Sequence, residues 1–154
     1  MEIERKYLVK EIPENISKYP RIEIEQAYLA TNPTIRIRRW GNEYLLCYKS
    51  GKGIVPVEGT IVVREEELPL TKSAYDHLKE KKDGRIIEKT RYFIPLTKNL
   101  KAELDLFHGY YEGRVLAEVE FSSVEEAEQF IKPEWFGENV SDRIEYSNSY
   151  MSQN

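Results

Sequence analysis

Carboxylates two residues apart recur along this chain, as Glu2 and Glu4, Glu65 and Glu67, Glu103 and Asp105, and Glu118 and Glu120. Basic residues recur at the same spacing, as Arg36 with Arg38 and Lys89 with Arg91, and Lys6 and Lys49 add to them. A spacing of two puts side chains on one face of a β-strand. Carboxylates gathered on one wall suit hard divalent cations such as Mg2+ or Mn2+. Guanidinium and ammonium groups suit phosphate oxygens, which arginine binds through two parallel hydrogen bonds. A metal-bridged polyphosphate satisfies both sets at once.

The elements that must position these residues are strands. Residues 2–9, 21–30, 34–40, 43–50, 59–68, 85–95, 100–108 and 114–122 are rich in Ile, Val, Tyr and Leu and alternate in polarity. Apolar residues take the parity opposite to the charges. Ile3, Tyr7 and Val9 alternate with Glu2, Glu4 and Lys6, and Ala117, Val119 and Phe121 alternate with Glu118 and Glu120. Asn32-Pro33 and Gly41-Asn42 are turn signals, residues 51–59 form a longer loop, and residues 108–113 link the last two strands. Such short connections predict antiparallel neighbours. Helices are expected over 71–82, capped by Thr71 and stopped by Asp83-Gly84, and over 123–131, following Ser122 with Glu125 placed for a capping box. A third is expected over 141–150, starting at Ser141, while residues 133–137 read as a packed turn.

Two arrangements accommodate strands with one charged and one apolar face. The charges point at water, or the sheet closes with the charges inside and the helices cover the apolar exterior. Like charges at successive inward positions favour closure, because a solvated face mixes signs. The expected fold is therefore α+β, an eight-stranded antiparallel closed barrel with a polar charged lumen and helices packed outside. Charges buried in such a lumen must be paired or must hold ions and ligands.

Composition bounds the rest. A length of 154 residues fits one domain, 1–154, and 40% apolar residues fit a globular chain. The net charge of −4 argues against a nucleic-acid partner. A single cysteine, Cys47, excludes an intrachain disulfide and fits a reducing compartment. No signal-peptide pattern opens the chain and no apolar run is long enough to span a bilayer, so the expectation is a cytoplasmic protein, without a membrane partner, as a monomer or homodimer.

The opening Glu2-Ile-Glu4-Arg-Lys6 resembles the Glu-x-Glu-x-Lys signature of the CYTH family, the triphosphate tunnel metalloenzymes. The resemblance continues in the family's order through Gln26-Ala-Tyr28-Leu29, Arg36-Ile-Arg38, the segment from Tyr44 to Lys49-Ser50, and Arg64-Glu65-Glu66-Glu67. It goes on through Glu88-Lys89-Thr90-Arg91-Tyr92, Glu103-Leu-Asp105, Glu118-Val-Glu120 and Pro133-Glu-Trp135-Phe136-Gly137 to Ser141-Asp142, Tyr146 and Asn148, so it spans nearly the whole chain.

The resemblance implies hydrolysis of inorganic tripolyphosphate or nucleoside triphosphates with Mg2+ or Mn2+. Adenylate cyclase, thiamine triphosphatase and a polyphosphate-binding module without turnover are the alternatives. Lys6, Arg36, Arg38, Lys49, Lys89 and Arg91 would grip the phosphates, and Glu2, Glu4, Glu118 and Glu120 would hold metal. Glu2, Glu4, Lys6 and Glu120 would form the catalytic centre. Glu65, Glu67, Glu103 and Asp105 would hold metal through water or orient the bases. Cys47 stands where a small polar residue is expected, and it reads as a filler near a tunnel end. His77 and His108 read as surface and turn residues, Tyr28 as lumen-flanking or packed, and Trp40, Trp135 and Phe136 as hydrophobic plugs or packing residues.

Overall fold

A computed structural model describes residues 1–154. The alternating segments form β1 (Glu2–Val9), β2 (Arg21–Thr31), β3 (Thr34–Trp40), β4 (Glu43–Ser50), β5 (Ile61–Pro69), β6 (Asp83–Pro95), β7 (Lys101–His108) and β8 (Val115–Phe121), followed by a short β9 (Phe136–Asn139). All pairings are antiparallel, in the order β5-β4-β3-β2-β6-β7-β8-β1-β9. The ring of eight closes where Glu2, Ile3 and Glu4 pair with Val63, Val62 and Ile61 of β5. β8 holds the other edge of β1 from Ile3 to Leu8.

The turn expected at 133–137 is present, closed by Phe136 N to the Pro133 carbonyl at 3.1 Å, but it leads into a ninth strand that the sequence did not announce. β5 leaves β1 after Glu4, so the rest of that edge would carry unpaired backbone groups. β9 takes it over, with Asn139 opposite Tyr7 and Phe136 opposite Val9.

Two helices pack on the exterior as expected. α1 (Lys72–Lys79) bridges β5 to β6 and starts at Thr71, whose side chain accepts from Ala74 N at 3.1 Å. Its Tyr75 is buried against Ala27 and Ile37 and donates its hydroxyl to Glu25 at 2.7 Å. α1 ends at Lys79, and Asp83-Gly84 open β6 instead of stopping the helix. α2 (Val124–Gln129) is capped by Ser123, one residue beyond the expected Ser122, and Glu126 rather than Glu125 reaches back, to Ser122 N at 2.7 Å. Its Ala127 joins Tyr7, Leu104, Val119, Phe121 and Phe136 in the larger apolar cluster outside the barrel.

The third helix departs from expectation. Residues 144–146 make one 3-10 turn and only Asn148–Gln153 is helical (α3). Ser141 caps nothing. Its hydroxyl accepts from Lys6 N at 2.9 Å and donates to Asn139 Oδ1 at 2.6 Å, tying the segment to β1 and β9. α3 also does not pack on the outer wall. Its Met151 is fully buried with Tyr28, Ile87, Phe107 and Leu116, which share the inward parity of the charged residues. The lumen thus rests at one end on an apolar floor sealed by α3. Gly84 makes the docking possible, since its φ is 68° and a Cβ there would collide with the Ser152 carbonyl oxygen.

Candidate active site

A cavity of about 520 Å³ occupies the lumen, within the usual range for small-molecule sites. Glu2, Glu4, Lys6, Arg36, Arg38, Lys49, Glu65, Glu67, Lys89, Arg91, Glu103, Glu118 and Glu120 all line it. Asp105 does not reach the open space. It is buried behind the wall, where it binds Arg91 through both oxygens at 2.7 and 2.8 Å and Lys89 at 2.9 Å.

Strand register decides which charges meet. Glu103 stands opposite Glu118, and Arg91 stands opposite Asp105. Arg91 therefore has three carboxylate partners, adding Glu118 at 2.7 Å and Glu103 at 3.2 Å. Lys6 meets Glu118 at 3.3 Å and the Tyr146 carbonyl at 3.1 Å. Lys49 meets Glu2 at 2.8 Å and Glu65 at 3.3 Å. Lys89 adds the side-chain oxygen of Asn148 on α3, at 3.1 Å.

Two bases stay largely uncompensated, both on β3. Arg36 is 4% exposed, its nearest carboxylate is Glu65 at 3.7 Å, and its Nε and Nη2 have no hydrogen-bond partner. Arg38 has only the neutral Gln26 amide oxygen, at 3.1 and 2.9 Å. Burial, with Arg36 and Arg91 close by, pushes its pKa down to about 10.

The acids divide in the same way. Burial raises Glu4, and Glu118 raises it further, to about 8. Burial likewise raises Glu65, Glu103 and Glu120, the last with Glu2 adding to it. Burial is the largest single influence at Glu2, Asp105 and Glu118 too, but their basic neighbours together outweigh it, chiefly Lys49 at Glu2, Arg91 and Lys89 at Asp105, and Arg91, Lys6, Lys89 and Lys49 at Glu118, so all three lie below the usual carboxylate range. Burial lowers Lys89 to about 7 despite the opposing pull of Asp105. In the ring order β3 lies across from β8 and β1. The free guanidinium groups therefore face the unneutralised carboxylates across the lumen.

Several surroundings escaped the sequence reading. Trp40 lines the cavity, with the guanidinium carbons of Arg38 at 5.4 Å and Arg91 at 5.9 Å from its ring. Gln26 and Tyr28 are buried together, joined by a 3.0 Å bond. Cys47 is buried and donates its thiol to Glu67 at 3.2 Å. Thr90 bonds Glu23 at 2.8 Å and His108 at 2.7 Å, away from the cavity-lining residues. His77 is exposed.

No three acids already form a coordination sphere. The set nevertheless fits a hard divalent cation: Glu4 is a buried carboxylate short of positive charge, beside Glu2, Glu118 and Glu120. A closed antiparallel barrel with under-compensated bases on one wall and under-compensated carboxyl groups on the other defines a class, a charged tunnel with groups suited to an anion and to a cation. The chain is 36% identical over 155 residues to an inorganic triphosphatase of Nitrosomonas europaea, covering 98% of this chain and 96% of that one. It is 29% identical over 157 residues to an inorganic triphosphatase of Acetivibrio thermocellus, covering 99% and 94%. The crystal structure of an inorganic triphosphatase superposes with a TM-score of 0.72 at 33% identity, over 100% of this chain and 95% of that one. No family model matches the sequence. The chain belongs to the CYTH family of triphosphate tunnel metalloenzymes.

Proposed function

We propose that this chain hydrolyses a triphosphate, with inorganic tripolyphosphate preferred, in a reaction that depends on Mg2+ or Mn2+. The observation that carries the reading is the pair Arg36 and Arg38, two buried or half-buried guanidinium groups that hydrogen-bond no carboxylate in a lumen full of them, Arg36 having only Glu65 at 3.7 Å and Arg38 only the Gln26 amide oxygen. A guanidinium withheld from available acids is a site for another oxyanion. The curated relatives are named inorganic triphosphatases.

Phosphoryl transfer requires mostly positioning and charge neutralisation. Arg36 and Arg38 grip the anion from β3, while Lys6, Lys49, Lys89 and Arg91, already held in direction by carboxylates, complete a ring of donors. Glu2, Glu4, Glu118 and Glu120 would hold the cation, with Glu4 and Glu120 the freest because neither has a salt-bridge partner. When bound, the cation neutralises phosphate oxygens and lowers the pKa of an attacking water. Glu103 and Asp105 hold Arg91 in place, and Glu65 does the same for Lys49. The floor built from Tyr28, Phe107 and Met151 blocks one end and excludes water there. The reading takes residues 1–154 as one domain around one lumen. It places the protein in the cytoplasm, a reducing compartment that its one unpaired cysteine fits.

The test is a panel of tripolyphosphate, ATP and thiamine triphosphate, each with Mg2+ or Mn2+. Fastest orthophosphate release from tripolyphosphate supports the reading. Cyclic AMP as the main product from ATP, or no turnover of any substrate, contradicts it.

A further inference from the structure

We infer that Gln26 and Trp40 are positioning residues that hold the Arg38 guanidinium in place for a phosphate without cancelling its charge. The inference rests on the triphosphatase reading of the lumen. Of the six bases lining the cavity, Arg38 alone has no carboxylate within 4.0 Å. Register puts Gln26 on β2 directly opposite it. The Gln26 oxygen accepts from Nε at 3.1 Å and Nη2 at 2.9 Å, so one edge of the guanidinium is fixed. A guanidinium only donates, which forces the amide oxygen toward it and the amide nitrogen toward the Tyr28 hydroxyl at 3.0 Å. Gln26 is fully buried, so the clamp is locked. The Trp40 ring supplies a second neutral contact, 5.4 Å from the guanidinium carbon. Both contacts orient the group, and neither carries a charge that a phosphate would have to displace. The remaining donors of Arg38 stay free.

The choice of an amide over a carboxylate is the feature under test. Glutamate has the same shape, and Tyr28 could donate its hydroxyl to it, so Gln26→Glu keeps every partner while pairing Arg38 internally. The expected result is a melting temperature at or above that of the parent. KM for tripolyphosphate should rise about 10- to 100-fold, the range for a charge-assisted hydrogen bond, and kcat should change much less. Gln26→Met loosens Arg38 but leaves its charge free, and should raise KM by less than Gln26→Glu does. Trp40→Leu should also raise KM, by several-fold. A purely structural role for Gln26 predicts the reverse order, with Gln26→Met the worse variant.

KM for Gln26→Glu within about 2-fold of the parent, or the reversed order, would overturn the inference. Failure of Gln26→Glu to fold would overturn it too, since the new carboxylate would then lack its pairing with Arg38. A parent protein with no turnover contradicts the triphosphatase reading instead. The clamp is then judged by the melting-temperature rise that tripolyphosphate produces, in the same order across the variants.

Discussion

Glu4 and Glu120 stand directly opposite each other across the β1–β8 ladder, both facing the lumen and neither joined to a base. Like charges in that position oppose pairing of the strands. The barrel tolerates them because Glu4 holds its proton up to about pH 8, under burial and then the Glu118 charge.

That protonation makes the metal-free protein sensitive to alkali. The unfolded Glu4 ionises near pH 4.5, while the folded one stays protonated until about 8. Stability from this group is therefore full below about pH 4.5 and falls as pH rises toward 8, a loss on the order of a few kcal/mol. Melting temperature of the chelator-treated protein should decline over that window, and Glu4→Gln should flatten the decline.

Metal binding should run in the opposite direction. A cation held at Glu4 displaces its proton, so affinity for Mn2+ should tighten as pH rises toward 8, with proton release detectable by calorimetry in buffers of different ionisation enthalpy. Glu4→Gln and Glu120→Gln should both abolish turnover with the fold retained.

Arg36 and Arg91 should separate function from stability. Arg91→Met strands Asp105, Glu118 and Glu103 without their main partner. It should cost roughly 3–5 kcal/mol by chemical denaturation. Arg36→Met removes a group whose Nε and Nη2 bond nothing, so stability should hold or rise while turnover collapses.

Arg38→Ala should weaken substrate binding or slow turnover by roughly 10²–10³, as for other positioned charges. Steady-state kinetics on a variant with unchanged melting temperature checks this.

Most of the barrel was legible because charge and apolarity alternate with period two. Like charges such as Arg36 and Arg38 share a face wherever the strand goes, so their convergence needed only closure. Thr71 likewise announced its helix through a local hydrogen bond. The misreadings concern tertiary facts. Ser141 has the look of a helix cap, but its hydroxyl is taken by Lys6 N from a strand 135 residues away in sequence. β9 is four residues long and pairs only with the edge of β1 that β5 vacates. Met151 gives no sign that it plugs a barrel. At the site, the parity of Gln26 was visible, but its bond to Arg38 depends on the β2–β3 register and on a neutral oxygen among many charged ones.

The most direct test compares tripolyphosphate hydrolysis by the parent protein and by Arg36→Met, each with Mg2+ or Mn2+ and with a chelator, after confirming that the variant melts no lower than the parent. The account predicts orthophosphate release by the parent only when a divalent ion is present, and none by the folded variant. Release that survives the chelator, or full activity in Arg36→Met, would contradict it.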